Sequence, residues 1–265
     1  MQIRGVFFDM GGTIETFDQT PEIQREATPG LQALLAEKGL DPGYSLEDLF
    51  LIISSGLDRY HRWNRVTKLE LPAWQVWRDY LLPDCSLDPQ ILSTAAEDLM
   101  FYIETHYYRR ALRPEVPAVL AEIRRMRYQI GLISNVNSRR QVPANLETYG
   151  IKEYFDPIVL SCEYGRRKPD PAIFLHAARL AQLPASACMY IGDRIARDVL
   201  GAKEAGFKLA VQILHDYQHG EQDEGAIPDA VISSMSEVLD LLRDDAWKPD
   251  ATAVLRAGGG PCAVL

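Results

Sequence analysis

The fold turns on Val6-Phe7-Phe8-Asp9-Met10-Gly11-Gly12-Thr13, close to the N-terminus. Residues 3–8 form an apolar run interrupted by Arg4 and Gly5, which predicts a short buried strand. Such a strand delivers Asp9 to its C-terminal tip, the edge at which open parallel sheets bind ligands. The glycines and threonine that follow let the backbone turn tightly, with the N–H groups of Gly12 and Thr13 expected to face an anion. An aspartate at such a tip can attack a phosphoryl group or hold a divalent cation. Taken alone, the stretch also reads as an ordinary strand end with a turn. Three later signals, each behind its own predicted strand, decide between the two.

Working outward, residues 18–112 read as helical throughout, with helices expected at 29–39, 49–53, 72–82 and 89–110 and no strand among them. Beyond Pro114 the period changes. Strands are predicted at 128–135, 158–161, 187–193, 208–214 and 230–232, with helices at 116–127, 139–149, 171–183, 196–205 and 235–242 between and after them. Alternating strands and helices imply an α/β fold, a Rossmann-like parallel sheet covered on both faces. Because its first strand precedes the helical segment, we expect a discontinuous core, residues 1–17 and 113–245, with an inserted helical cap at 18–112. Residues 246–265 lack periodicity and include Ala257-Gly258-Gly259-Gly260-Pro261, which predicts a flexible tail.

Composition narrows the class. The 265 residues are 47% hydrophobic and 25% charged with a formal charge of −9, which argues against nucleic acid as a partner and fits a cytoplasmic small-molecule protein, monomer or homodimer. No apolar run is long enough to cross a membrane. Cys85, Cys162, Cys188 and Cys262 are scattered without a CxxC pair, as expected of reduced thiols, and the five histidines show no zinc spacing. The closing Cys262-Ala263-Val264-Leu265 fits a prenylation box, which we treat as a chance match.

Set side by side, the strand tips carry Asp9, Ser134 with Asn135, Lys168, and Asp193 with Asp198. Each has an ordinary alternative: a strand cap for Ser134, a loop charge for Lys168, helix-start acids for Asp193 and Asp198. Together they suit one chemistry. A carboxylate approaches a phosphoryl group only when the negative charge is neutralised, and Mg²⁺ held by Asp9 and Asp193, its waters steadied by Asp198, can do that. A lysine and a serine hydroxyl supply further cationic and hydrogen-bonding contacts to phosphate.

In these four stretches the chain resembles the haloacid dehalogenase-like superfamily: hhhhDxDGT at Val6 to Thr13, an apolar strand ending in Ser134, GxxKPxPxxF from Gly165 to Phe174, and GDxxxxD from Gly192 to Asp198. The resemblance implies a Rossmann-like core, a helical cap, Mg²⁺ as cofactor and a small phosphorylated substrate. It implies Asp9 as the nucleophile that becomes an aspartyl-phosphate. Asp9, Asp193 and the Gly11 carbonyl would hold the metal, with Ser134, Asn135 and Lys168 on the phosphate.

One residue departs from the pattern. Phosphatases of this superfamily place an acid/base aspartate two residues after the nucleophile, and here that position is Gly11. General acid–base catalysis is worth about 10²–10⁴-fold, so weakened turnover is expected, and a binding or regulatory protein that keeps the phosphate pocket is the alternative. Glu15, just beyond the glycines, could partly substitute as acid or base but reads more simply as a solvated hairpin charge. A phosphonate-cleaving branch would need a cap lysine, and only Lys38 and Lys68 are available. Retention of the metal acids speaks against a dehalogenase. In the cap, Arg59, His61, Arg62 and Arg65 interleave with Tyr60 and Trp63, a run that suits an anionic or aromatic substrate but more often marks a solvated basic face, while Trp74 and Trp77 read as core.

Overall fold

The computed structural model describes residues 2–214 and 225–243. Strand β1 (Gly5–Phe8) lies at the centre of a six-stranded, all-parallel sheet. Around it stand β4 (Gln129–Ser134), β5 (Ile158–Leu160), β6 (Cys188–Gly192), β7 (Leu209–Ile213) and β8 (Ala230–Ile232), in the order β5-β4-β1-β6-β7-β8. Each predicted core strand is present within two residues of its expected limits. All four residues of β1 are buried because helices cover both faces, so the strand is an apolar run rather than an alternation.

The pleat sorts side chains between those faces. Val6 and Phe8 join Ile130, Leu132, Met189 and Ile191 on one side. That side is covered by α5 (Val116–Arg125), α6 (Gln141–Thr148) and α10 (Glu237–Arg243). Phe7, Ile133 and Tyr190 face the other way, onto α8 (Pro171–Leu180) and α9 (Leu200–Glu204). The expected helix at 196–205 is divided: a wide π turn, Ile195–Val199, precedes α9.

Two short strands break the expectation of an all-helical stretch from Asp18 to Leu112. β2 (Glu15–Asp18) and β3 (Arg109–Leu112) pair antiparallel, Phe17 opposite Arg110, as a ribbon at the root of the cap. Four residues carry too little pattern to read as a strand, and Arg109-Arg110-Ala111-Leu112 looks like the end of the helix before it.

Between the ribbon strands the chain is helical. α1 (Pro21–Glu37) starts earlier than Pro29, because the Thr20 hydroxyl accepts from the Ile23 N–H and the helix runs on through Pro29. α2 (Leu46–Thr67) is capped by Ser45 and extends well past Ile53. α3 (Ala73–Val76) runs into a π turn at Trp77–Leu81, and α4 (Pro89–His106) is capped by Asp88. Leu31, Leu35, Ile53, Tyr60, Trp77, Leu99 and Ile103 form the cap's own core. Trp77 is fully buried, but Trp74 is 37% exposed under the Arg78 guanidinium, so only one of the two tryptophans is core. The cap also touches the core through a bridge between Leu69 and Arg166, with the Glu70 N–H on the Gly165 carbonyl at 3.0 Å. The expected tail at 246–265 and its terminal Cys262 lie outside the described residues.

Candidate active site

Parallel register puts the ends of β1, β4 and β6 on one edge, since Phe8 pairs with both Leu132 and Ile191. Asp9, Ser134 and Asp193 are therefore neighbours, and each is almost fully buried. Oxygens of Asp9, Asp193 and Asp198 all lie within 4.8 Å of one another. Two glycines make room for this. Gly12 has φ +84°, and a Cβ there would lie 2.5 Å from Asp193 Oδ2; a Cβ on Gly192 would lie 2.4 Å from Asp198.

Lys168 is wholly buried beneath the carboxylates. Its Nζ stands 2.7 Å from Asp9 Oδ1, 2.6 Å from Asp198 Oδ1 and 2.8 Å from the Tyr190 hydroxyl. Asn135, expected on the phosphate, spends its side-chain amide on Lys168 instead: it accepts from the Lys168 N–H at 2.9 Å and donates to the Lys168 carbonyl at 3.0 Å. It thus fixes the loop that aims the lysine.

The loop after Asp9 also differs from expectation. The Gly12 N–H donates to the Glu15 carbonyl and the Thr13 N–H to the Met10 carbonyl, so both are consumed in closing the turn and neither faces an anion. Thr13 is fully buried. Met10 and Gly11 border the cavity, and their N–H groups enter no backbone hydrogen bond in this loop.

Burial, opposed by Lys168 and reinforced by Asp198 and Asp193, pushes the Asp9 carboxyl up to about 7. Asp193 pairs with Arg194 at 3.3 Å and accepts from Arg197 at 3.4 Å. Asp198 is committed on both oxygens, one to Lys168 and Tyr190 and the other to the Arg194 N–H at 3.0 Å. A hard divalent cation with oxygen ligands fits this donor set, because three carboxylates are buried within reach of one another and a cation between them relieves their repulsion. Asp9, Asp193 and Asp198 could each offer it an oxygen, and Lys168 holds both Asp9 and Asp198.

A cavity of about 680 Å³ opens above the strand tips. Ser134, Asn135 and Lys168 line its floor, and the cap contributes His61, Asn64, Arg65, Glu104 and Tyr108. The basic run on α2 is therefore divided between solvent and this cavity, which two of its members enter. Neither Lys38, paired with Glu37 and Asp98, nor Lys68, the left-handed residue closing α2, lines the cavity, so the cap offers it no lysine.

Glu15 is the clearest correction. It is fully buried, accepting from Arg110 at 2.6 Å, Asn145 at 2.9 Å and Tyr149 at 2.8 Å. Arg110 also reaches Glu104, and Glu104 accepts from the Asn137 N–H at 3.0 Å. The ribbon, α6, the segment after β4 and the cap helix α4 are thereby joined through buried charge. Tyr190 was hidden in an apolar strand; Arg194 and Arg197 stood in plain view within the GDxxxxD stretch.

A family model described as haloacid dehalogenase-like hydrolase matches residues 3–206. A glyceraldehyde 3-phosphate phosphatase of Methanopyrus kandleri is 28% identical over 91% of this chain and 98% of its own length. A pyrimidine 5'-nucleotidase of Escherichia coli is 30% identical over 89% of this chain and 96% of its own. Among solved structures, a 2-haloacid dehalogenase from Pseudomonas syringae superposes with TM-score 0.62 at 28% identity, covering 91% of this chain and 99% of that one.

Proposed function

The chain belongs to the haloacid dehalogenase-like hydrolases, and from that premise we propose that it is a phosphatase of small phosphorylated metabolites working through an aspartyl-phosphate on Asp9. The observation that carries this reading is the buried Lys168, 2.7 Å from Asp9 at a strand tip under an open cavity. A buried cation there keeps an otherwise strained carboxyl available as a nucleophile and remains beside it when negative charge arrives. Relatives named as phosphatases that match nearly end to end support the substrate class.

Asp9 attacks phosphorus through a carboxylate oxygen, the P–O bond to the leaving group breaks, and water then cleaves the acyl phosphate. Lys168 holds Asp9, Ser134 donates to a phosphoryl oxygen, and Asn135 and Tyr190 keep the lysine in place. Mg²⁺ held by Asp9, Asp193 and the Gly11 carbonyl, oriented by Asp198, would offset the phosphoryl charge. With glycine at position 11 nothing on that residue donates a proton to the leaving oxygen, so poor leaving groups react slowly. We also read the ribbon as the hinge between core (1–17, 113–245) and cap (18–112), because β2 spans the first cut and β3 ends at the second. A cytoplasmic protein, monomer or homodimer, completes the proposal.

Phosphate release from a panel of monoesters, with and without Mg²⁺, tests the reading against Asp9→Asn as blank. Turnover by wild type and not by the blank supports it. Equal rates in both leave Gly11 to favour the other reading, a binding module that retains the pocket.

A further inference from the structure

We propose that Glu70 of the cap is a positioning residue for the reaction: it ties together the two core segments that carry Lys168 and follow Ser134, and so sets the lysine and the serine on the phosphoryl group. This rests on the phosphatase reading and adds to it a residue outside the cavity, which neither Glu70 nor Ser161 lines. Glu70 lies in the loop between α2 and α3, and its side chain is wholly buried. Four donors converge on its carboxylate. One oxygen accepts from the Tyr60 hydroxyl at 2.6 Å, Asn64 Nδ2 at 3.4 Å and Arg167 Nη1 at 3.3 Å. The other accepts from the Ser161 hydroxyl at 2.7 Å. Tyr60 and Asn64 belong to the cap, Ser161 and Arg167 to the core.

The two core partners lead to the site by separate routes. Arg167 immediately precedes Lys168, and its backbone is held as well, its N–H on the Lys68 carbonyl at 3.1 Å. Ser161 Oγ accepts from the Val136 N–H at 3.0 Å, and Val136 stands two residues after Ser134. Asn135 closes the circuit by its two hydrogen bonds to the Lys168 backbone. From Glu70 the circuit passes through Ser161, Val136, Asn135, Lys168 and Arg167 and returns. A carboxylate suits its apex because it only accepts, and here every neighbour donates. With Glu70 removed, the Ser161 hydroxyl turns its proton to the Val136 carbonyl, 3.2 Å away, and the Arg167 side chain loses its carboxylate. Stability alone does not require the arrangement, since apolar residues of similar volume often replace a buried ion pair without loss. What the carboxylate adds is a fixed register between two segments whose residues must meet one phosphoryl group.

Release of the phenol from an activated aryl phosphate is followed by stopped flow with Mg²⁺ and enzyme in excess. A single turnover then reads phosphoryl transfer from the saturating rate and substrate binding from the half-saturating concentration. Glu70→Ala should lower the saturating rate by about 10- to 100-fold, as for reacting groups misplaced by up to about an ångström, and leave the half-saturating concentration near that of wild type. Glu70→Gln keeps an acceptor for Arg167 and turns its N–H₂ to Ser161, whose hydroxyl can accept, so it should recover most of the rate. Amide exchange by NMR gives a second reading. Relative to β1, the Val136 and Lys168 N–H groups should exchange at least about tenfold faster in Glu70→Ala. A purely structural Glu70 would speed exchange in β1 and these segments alike and leave the saturating rate of the folded protein unchanged. That result, a loss confined to the half-saturating concentration, or Glu70→Gln no better than Glu70→Ala overturns the assignment. If Glu70→Ala does not fold, Ser161→Ala decides: it should lower the saturating rate at unchanged half-saturation, and an unchanged rate overturns the proposal. Absence of wild-type turnover above an Asp9→Asn blank sinks the phosphatase reading, while exchange at Val136 and Lys168 still judges whether Glu70 holds the two segments.

Discussion

Restoring a carboxyl at position 11 isolates what the glycine removes. A Cβ there would meet the Phe17 ring at 3.4 Å and Arg110 Nη1 at 3.8 Å, ordinary contacts, and Gly11 is not among the glycines with positive φ, so the backbone and the space around it admit a Cβ. The new carboxyl would, however, reach Arg110. A neighbouring guanidinium lowers a carboxyl pKa by about 1–3 units, and each unit leaves tenfold less acid at neutral pH. From the roughly 10²–10⁴-fold worth of general acid–base catalysis we therefore expect about 10- to 100-fold higher steady-state turnover of alkyl phosphates. An activated aryl phosphate needs no proton for its first step, so wild type should show a burst and then slow turnover, and Gly11→Asp should erase the burst. Stopped-flow product release with Asp9→Asn as blank and Gly11→Asn as size control reads both. If Gly11→Asp folds like wild type yet gains nothing over Gly11→Asn, the missing relay is not what limits the site.

Mg²⁺ should bind wild type and not Asp193→Asn, and near pH 7 should displace protons from Asp9; titrations in buffers of different ionisation enthalpy would then give different heats, whereas identical heats contradict the raised Asp9 carboxyl. Arg110→Met leaves Glu15 and Glu104 buried without their cation and should cost about 3–5 kcal/mol by urea midpoint near pH 7. Burial already raises Glu104, and a raised carboxyl stabilises below its unfolded pKa and loses that as pH rises, so the deficit should shrink on acidification. Burial and then Arg167, Arg65 and Arg197 push the His61 imidazole down to about 3, so its NMR signals should show no titration between pH 8 and 5. With the folded pKa below the unfolded one, its contribution to stability is present above about 6.5 and lost as pH falls toward the folded value; a normal titration would refute that placement.

The core was legible because β1, β4 and β6 are buried on both faces and end in the residues that make the site; apolar runs closing on Asp9, Ser134 and Asp193 carry fold and chemistry in one pattern. The ribbon was illegible because Glu15 and Arg110 are polar residues whose burial depends on each other across 95 positions, and neither reveals its partner locally. The same cause hid the role of Asn135, whose type fitted the phosphate while tertiary structure set it on Lys168. Trp74 and Trp77 share a spacing but not a fate, since a helical turn separates core from surface by less than half its circumference. Sequence showed which side chains could do chemistry; contact across the chain decided which of them meet.

The central claim, that Asp9 carries the phosphoryl group, is tested most directly by trapping. Wild type mixed with an activated aryl phosphate is quenched in acid on the millisecond scale, and the peptide containing Asp9 is examined by mass spectrometry with and without hydroxylamine. A phosphoryl group on Asp9, removed by hydroxylamine and missing from Asp9→Asn, is the predicted result. Turnover that proceeds with no phosphoryl group on Asp9, or with the label on another residue, contradicts it.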